Sequence, residues 1–165
     1  MGYRLRLRIP GIPGGCTEET HRDWIEVSSF SQGVSRGGED RFSELHHDFS
    51  VTKHVDRASP LLAQACAEGW KVGEVTLEVS RSEGARPVVM RVRLWDVHLT
   101  QYQLSGTGDP SGSNATPFEG LSFRYGKVEW HVEPTSFGPQ GTEAARPVCG
   151  SWTSDTFQEH PTRKC

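Results

Sequence analysis

The chain has 165 residues, with 18 lysines and arginines against 21 aspartates and glutamates and a formal net charge of −3. That suits one domain able to bury roughly 70% of its unfolded surface, and it gives no global charge to draw the protein to nucleic acid or an anionic membrane. No apolar run approaches the roughly 18 residues of a membrane span, and "MGYRLRLRIP" lacks the apolar segment of a signal peptide, so the expectation is synthesis in the cytosol and export, if any, by another route.

In chain order the pattern is mostly strands. "YRLRLRI" (3–9) alternates Arg4, Arg6 and Arg8 with Leu5, Leu7 and Ile9, the period of a half-buried strand whose arginines form one solvated or interface-facing row. "PGIPGG" stops it, because proline lacks the ladder donor and glycine turns readily. "DWIEVSSFSQGV" (23–34) reads as a second strand, "SRGGEDRFSE" (35–44) as a polar excursion and "HDFSVTKHV" (47–55) as a third strand. The one convincing helix is "SPLLAQACAEG" (59–69), with Ser59 as N-cap, Pro60 in the first turn and Gly69 just past the end. Leu61, Leu62, Ala65 and Cys66 give it an apolar face for a sheet. Three long runs follow, "KVGEVTLEVS", "RPVVMRVRLWDVHLTQYQL" and "LSFRYGKVEWHVEP", joined by "RSEGA" and "SGTGDPSGSNATP". In the polar segment beyond Thr135, "RPVCGSWTSDTF" offers one last strand. An antiparallel barrel or compressed sandwich with a single packed helix accounts for this order.

Sites of chemistry are scarce. "GGCTEETHRDWIEV" (14–27) gathers Cys16, Glu18, Glu19, His21 and Asp23, but no CxxC or HxxxH pair gives a zinc site a nucleus, and adjacent glutamates in a turn are ordinarily hydrated. It reads as a solvated connection, with no metal site. His46 and His47 adjoin each other, and in a strand alternation sends them to opposite faces. His98 and His131 sit in alternating runs as ordinary strand histidines. No G-x-S-x-G elbow, P-loop or dinucleotide fingerprint appears, so neither catalytic nor cofactor-binding residues are assigned. The triplet Asn114-Ala115-Thr116 fits glycosylation only in a glycosylating pathway. Four scattered cysteines, Cys16, Cys66, Cys149 and Cys165, predict free thiols in a reducing compartment rather than a disulfide framework. Arginines on strands near aromatics leave open a small-ligand or single-strand-binding barrel, opposed by the interleaved Glu74, Glu78, Glu129 and Glu133.

The strands themselves carry the most specific information. "F-x-x-x-K-x-V-D-x-A-S-P-x-L…A-C-A-x-G" falls on Phe49, Lys53, Val55, Asp56, Ala58, Ser59, Pro60, Leu62, Ala65, Cys66, Ala67 and Gly69. With "IPGIPGGCTEETHRDWIEV" and "KVEWHVEP" it resembles the haemolysin-coregulated protein (Hcp) family, tube subunits of type VI secretion systems, in order over roughly residues 3–134. Departures are the loop 36–44, Cys16 and the cysteine-containing tail, where Trp152 alone suggests the family's terminal strand.

The resemblance implies a mainly β protein: an antiparallel β-barrel of two packed sheets flanked by one helix, spanning residues 1–153, with a flexible tail at 154–165. It implies a structural, non-enzymatic subunit that binds itself as a hexameric ring and stacked rings, with no cofactor, nucleic acid or membrane insertion. The implied partners are a spike, a contractile sheath and small effectors held in the lumen. The implied location is the bacterial cytoplasm, then the outside through the secretion apparatus. Ser31, following the aromatic of the second strand, is implied to face the lumen and touch effectors, and Cys66 to be a small core residue.

Overall fold

The computed structural model describes residues 2–36, 44–46, 48–82, 88–112, 116–133 and 148–153. The expected tail 154–165, the middle of the polar excursion, His47, and Asn114 and Ala115 of the glycosylation triplet lie outside the described residues.

Two antiparallel sheets carry the fold. The first has six strands in the order β13 (Val148–Thr153), β12 (Lys127–Val132), β9 (Val88–Trp95), β8 (Val75–Arg81), β1 (Tyr3–Arg8) and β2 (Ile25–Val27). The second has five, in the order β3 (Ser29–Ser31), β6 (Phe49–His54), β11 (Phe118–Arg124), β10 (Val97–Ser105) and β7 (Lys71–Val72). A separate hairpin, β4 (Val34–Arg36) with β5 (Glu44–His46), forms the base of the polar excursion. In the described pairings each large sheet keeps two edge strands, so the layers form an open sandwich rather than the closed barrel expected.

Strand alternation turns directly into transverse rows. Register lines up Ile25, Leu7, Leu77, Val92 and Trp130 across the first sheet, and Phe30, Val51, Leu121 and Tyr102 across the second. These rows face each other, and Leu7, Ile25, Leu77, Val92, Val51 and Leu121 are all buried. Burying such side chains contributes about 1.5–3 kcal/mol each before entropy is charged against it.

The expected second strand and the three long runs after the helix each prove to hold two strands that change sheet. The 23–34 run breaks at Ser28 between β2 and β3; the next breaks at Gly73–Glu74 between β7 and β8; the third breaks at Asp96 between β9 and β10; the last breaks at Tyr125–Gly126 between β11 and β12. Asp96 turns its corner with φ of 54°, and its carboxylate meets Lys71 Nζ at 2.8 Å, which holds the carboxyl below its ordinary range. Gly126 lies against this corner: its N–H donates to the Trp95 carbonyl at 2.9 Å, and a Cβ there would sit 3.1 Å from Asp96 Cβ.

The helix α1 (Ser59–Glu68) packs Leu62 and Ala65 into the core and ends at Gly69 with φ of 67°, as its sequence predicts. The start differs. Ala58 holds the cap position, and Ser59 makes no side-chain cap bond. Asp56 supplies the oxygen instead, accepting from the Ala58 N–H at 2.9 Å, while Ser59 Oγ accepts from the Asp56 N–H and donates to Glu119.

Candidate functional site

Each sheet presents its second set of rows outward. On the second sheet Ser31, Ser50, Ser122 and Gln101 stand side by side, and Ser29, Thr52, Gly120 and Gln103 form the neighbouring row. Hydroxyls bond across strands, Ser50 to Ser122 at 3.1 Å and Ser29 to Thr52 at 2.5 Å. Ser31 itself is exposed, at the β3 edge of these two uncharged rows; beyond them on the same face stand His98 and the exposed Arg124.

On the first sheet the outward row is Cys149, His131, Arg91, Glu78, Arg6 and Glu26, one residue from every strand. The expected solvated arginine row is therefore wrong at its centre, since Arg6 is 1% exposed. The connection 14–24 covers it. Gly14 and Cys16 pair with Asp23 and Trp24 to close this connection, and a Cβ on Gly14 would meet the Trp24 carbonyl oxygen at 2.4 Å. Glu18 then reaches down to Arg4 Nη1 and Arg6 Nη2, both at 2.5 Å, and His21 Nε2 meets Glu78 at 2.6 Å. Arg91 bonds the other Glu78 oxygen at 2.8 Å. The polar cluster of residues 16–23 is thus a strap fastened by ion pairs rather than a hydrated turn. A pocket of about 580 Å³ opens beside it, lined in part by Arg6, His21, Trp24, Glu78 and Arg91. Among the described residues, no group of three His, Cys, Asp or Glu side chains is placed to hold a metal ion.

The K-x-x-D-x-x-S part of the sequence signature becomes a buried network at the helix end of the sandwich. Lys53, with no exposed surface, donates to the His54 carbonyl at 2.9 Å, to Asp56 Oδ1 at 2.8 Å and to Glu119 Oε1, so its three donors have three acceptors. Glu119, equally buried, also accepts from Ser59 Oγ at 3.0 Å and Tyr102 Oη at 2.7 Å. Burial first, then that carboxylate, pushes the Tyr102 hydroxyl up to about 12. Spacing in the sequence links Lys53, Asp56 and Ser59; Glu119 and Tyr102 come from strands more than 40 residues on and carry no local signal.

The thiols divide. Cys16 and Cys66 are free, Cys16 buried and Cys66 on the helix against the core. Cys149 is disulfide-bonded, which overturns the expectation of free thiols throughout; its partner is outside the described residues.

The model of the family described as "Type VI secretion system effector, Hcp" matches residues 7–132. The "Major exported protein" of Pseudomonas aeruginosa is 26% identical over 147 residues, covering 83% of this chain and 84% of that protein. "Protein hcp1" of the same organism is 23% identical over 160 residues, covering 92% and 95%. The solved structure of Hcp1 from Salmonella typhimurium superposes with a TM-score of 0.75 at 18% identity over 93% of this chain and 96% of that one, which shows a shared fold. Two sheets, one helix and the signature network fit the same conclusion: the chain belongs to the Hcp family, the non-enzymatic tube subunits and exported proteins of type VI secretion systems.

Proposed function

We propose that the chain closes into hexameric rings that stack into a tube, with the serine-rich outward face of the second sheet turned to the lumen. The family match over residues 7–132 carries this reading. Ring closure by identical subunits needs two different complementary patches on each subunit. Both sheets leave edge strands for that purpose, and the β4–β5 hairpin stands apart from them as a further contact. In this reading the tube sits inside a contractile sheath and is tipped by a spike. The protein is made in the bacterial cytoplasm and leaves with the tube, in keeping with the name of its P. aeruginosa relative. The lumen face holds small effector proteins, and Ser31 is one of its contacts. Exposure of Ser31 and the absence of charge from its own row and the Ser29 row support a surface that accepts a folded cargo through hydrogen bonds and shape. A stand-alone small-ligand or single-strand-binding domain is not favoured.

Light scattering of purified protein at micromolar concentration should give about six times the 18.3 kDa of one chain, and electron microscopy should show rings with a central hole. A strictly monomeric particle in both measurements rejects the ring.

A further inference from the structure

We propose that Cys149 is a thiol–disulfide exchange site, with His131 as its proton acceptor, Glu133 as the positioning residue for the imidazole, and a low-molecular-weight disulfide of the glutathione type as its oxidant. Three side chains at the β12–β13 margin of the first sheet make the case. Cys149 and His131 are direct cross-strand partners, and His131 Nδ1 lies 3.1 Å from Cys149 Sγ. The other ring nitrogen, Nε2, meets Glu133 Oε1 at 2.8 Å, and Glu133 is itself tied back by its N–H to the Val89 carbonyl at 3.0 Å. One nitrogen can therefore face the sulfur while the other is held by a carboxylate, the arrangement that lets an imidazole take a thiol proton. The independent observation is the state of the sulfur: Cys149 is already in a disulfide, whereas Cys16 and Cys66 are not.

Access and surroundings agree with this role. Cys149 is partly exposed, and the His131 and Glu133 side chains are 26% and 40% exposed, so a small disulfide can reach the sulfur while the imidazole stays ordered. From β9, Arg91 faces His131, engaged on its far side by Glu78; Glu129 on β12 and Ser151 on β13 form the next pair along this face. Among the described strands, the one that carries Cys149 lies at the sheet edge, paired with β12 alone.

The thiolate is the attacking species in such exchange. His131 takes the Cys149 proton, the sulfur attacks one sulfur of the small disulfide, and the S–S bond breaks as the new one forms. The leaving thiolate recovers a proton from His131. A second protein thiol then displaces the small thiol from the mixed disulfide. Two protein thiols are oxidised, and one small disulfide is reduced to two thiols. The sequence holds one further cysteine, Cys165, outside the described residues.

The test uses the full chain, reduced, desalted and exposed to glutathione disulfide, then quenched by alkylation and mapped by peptide mass. Cys149 should form the mixed disulfide at least ~10-fold faster than Cys66 near neutral pH, as a positioned proton acceptor requires. His131→Gln should remove that advantage, and the gap should close as pH rises past about 8.5, where an ordinary thiol ionises without help. Glu133→Gln should lie between. Equal rates at Cys149 and Cys66, or a rate at Cys149 indifferent to His131→Gln at neutral pH, overturns the proposal. If His131→Gln does not fold, the unmodified chain decides: a pH–rate inflection for Cys149 below that of Cys66 supports the site, and coincident inflections reject it.

Discussion

The outward faces of the two sheets are made by the same alternation and carry opposite chemistry. The first sheet turns out a row of sulfur, imidazole and alternating charges, and covers part of it with its own 14–24 strap. The second turns out serines, threonine and glutamines, with Ser29, Ser31 and Thr52 exposed. On the first face charges are fixed to one another, so a change at one leaves its partner desolvated. On the second, neighbours are joined only by hydroxyl bonds such as Ser29–Thr52 and Ser50–Ser122, and no charge is left behind when one of them changes. A surface that must fit varied cargo is better placed on the face whose residues can change at small cost to the fold.

The strongest way to break this comparison lies behind the hydroxyl-rich face, where the second sheet is as unforgiving as the first. Glu119→Leu leaves the Lys53 ammonium buried with two of its three acceptors, and should cost about 3–5 kcal/mol by denaturant unfolding. A loss below about 1 kcal/mol would show that the network is ornamental. Next in size is the strap. Glu18→Gln keeps the shape, but its one carbonyl oxygen can accept from only one of Arg4 and Arg6 while its amide N–H2, a donor, faces the other, and the change should cost about 1–3 kcal/mol. An unchanged midpoint would mean that the strap is as free as the hydrated turn the sequence suggests.

A smaller effect concerns alkaline pH. Burial and then the Glu119 carboxylate push the Tyr102 hydroxyl from its ordinary range up to about 12 in the folded chain, so its neutral form is favoured by folding. Its contribution is fully present below the unfolded value and is lost as pH climbs toward about 12. The stability of the unmodified chain should therefore fall more steeply over that window than that of Tyr102→Phe; parallel curves would count against the Glu119 contact. Smallest is Ser31→Gln, which should cost less than about 0.5 kcal/mol, as expected for an exposed site away from any network. Rings should form normally and retain less co-expressed effector. Failure of the rings would place Ser31 in a subunit contact, and unchanged retention would make it a bystander.

Much of this architecture is legible in the sequence because alternation reports which residues share a face. Leu5, Leu7 and Ile9 against Arg4, Arg6 and Arg8 is one case, and Gly69 marking the helix end is another. What alternation cannot report is a change of sheet. Trp95, Asp96 and Val97 continue an apparently unbroken run, since the corner needs only one residue with positive φ and the pattern resumes at once. Nor does it report what covers an outward face. Arg6 looks like its neighbours in "RLRLR", and only the strap, brought over it by the turn at Gly14 and Asp23, makes it buried. Ser59 reads as a cap because of the proline after it, yet Glu119, remote in sequence, competes for its hydroxyl. The candidate lumen residue rests on family likeness: a serine in "SFSQG" carries no chemical mark of its own.

The changes of sheet have a mechanical consequence. Because the runs broken at Ser28, Gly73–Glu74, Asp96 and Tyr125–Gly126 each begin in one layer and finish in the other, covalent backbone crosses the sandwich four times. Tension applied to either layer is passed along these crossings instead of resting on side-chain contact alone. Sliding of the two layers past each other as separate plates is therefore opposed by covalent backbone as well as by packing.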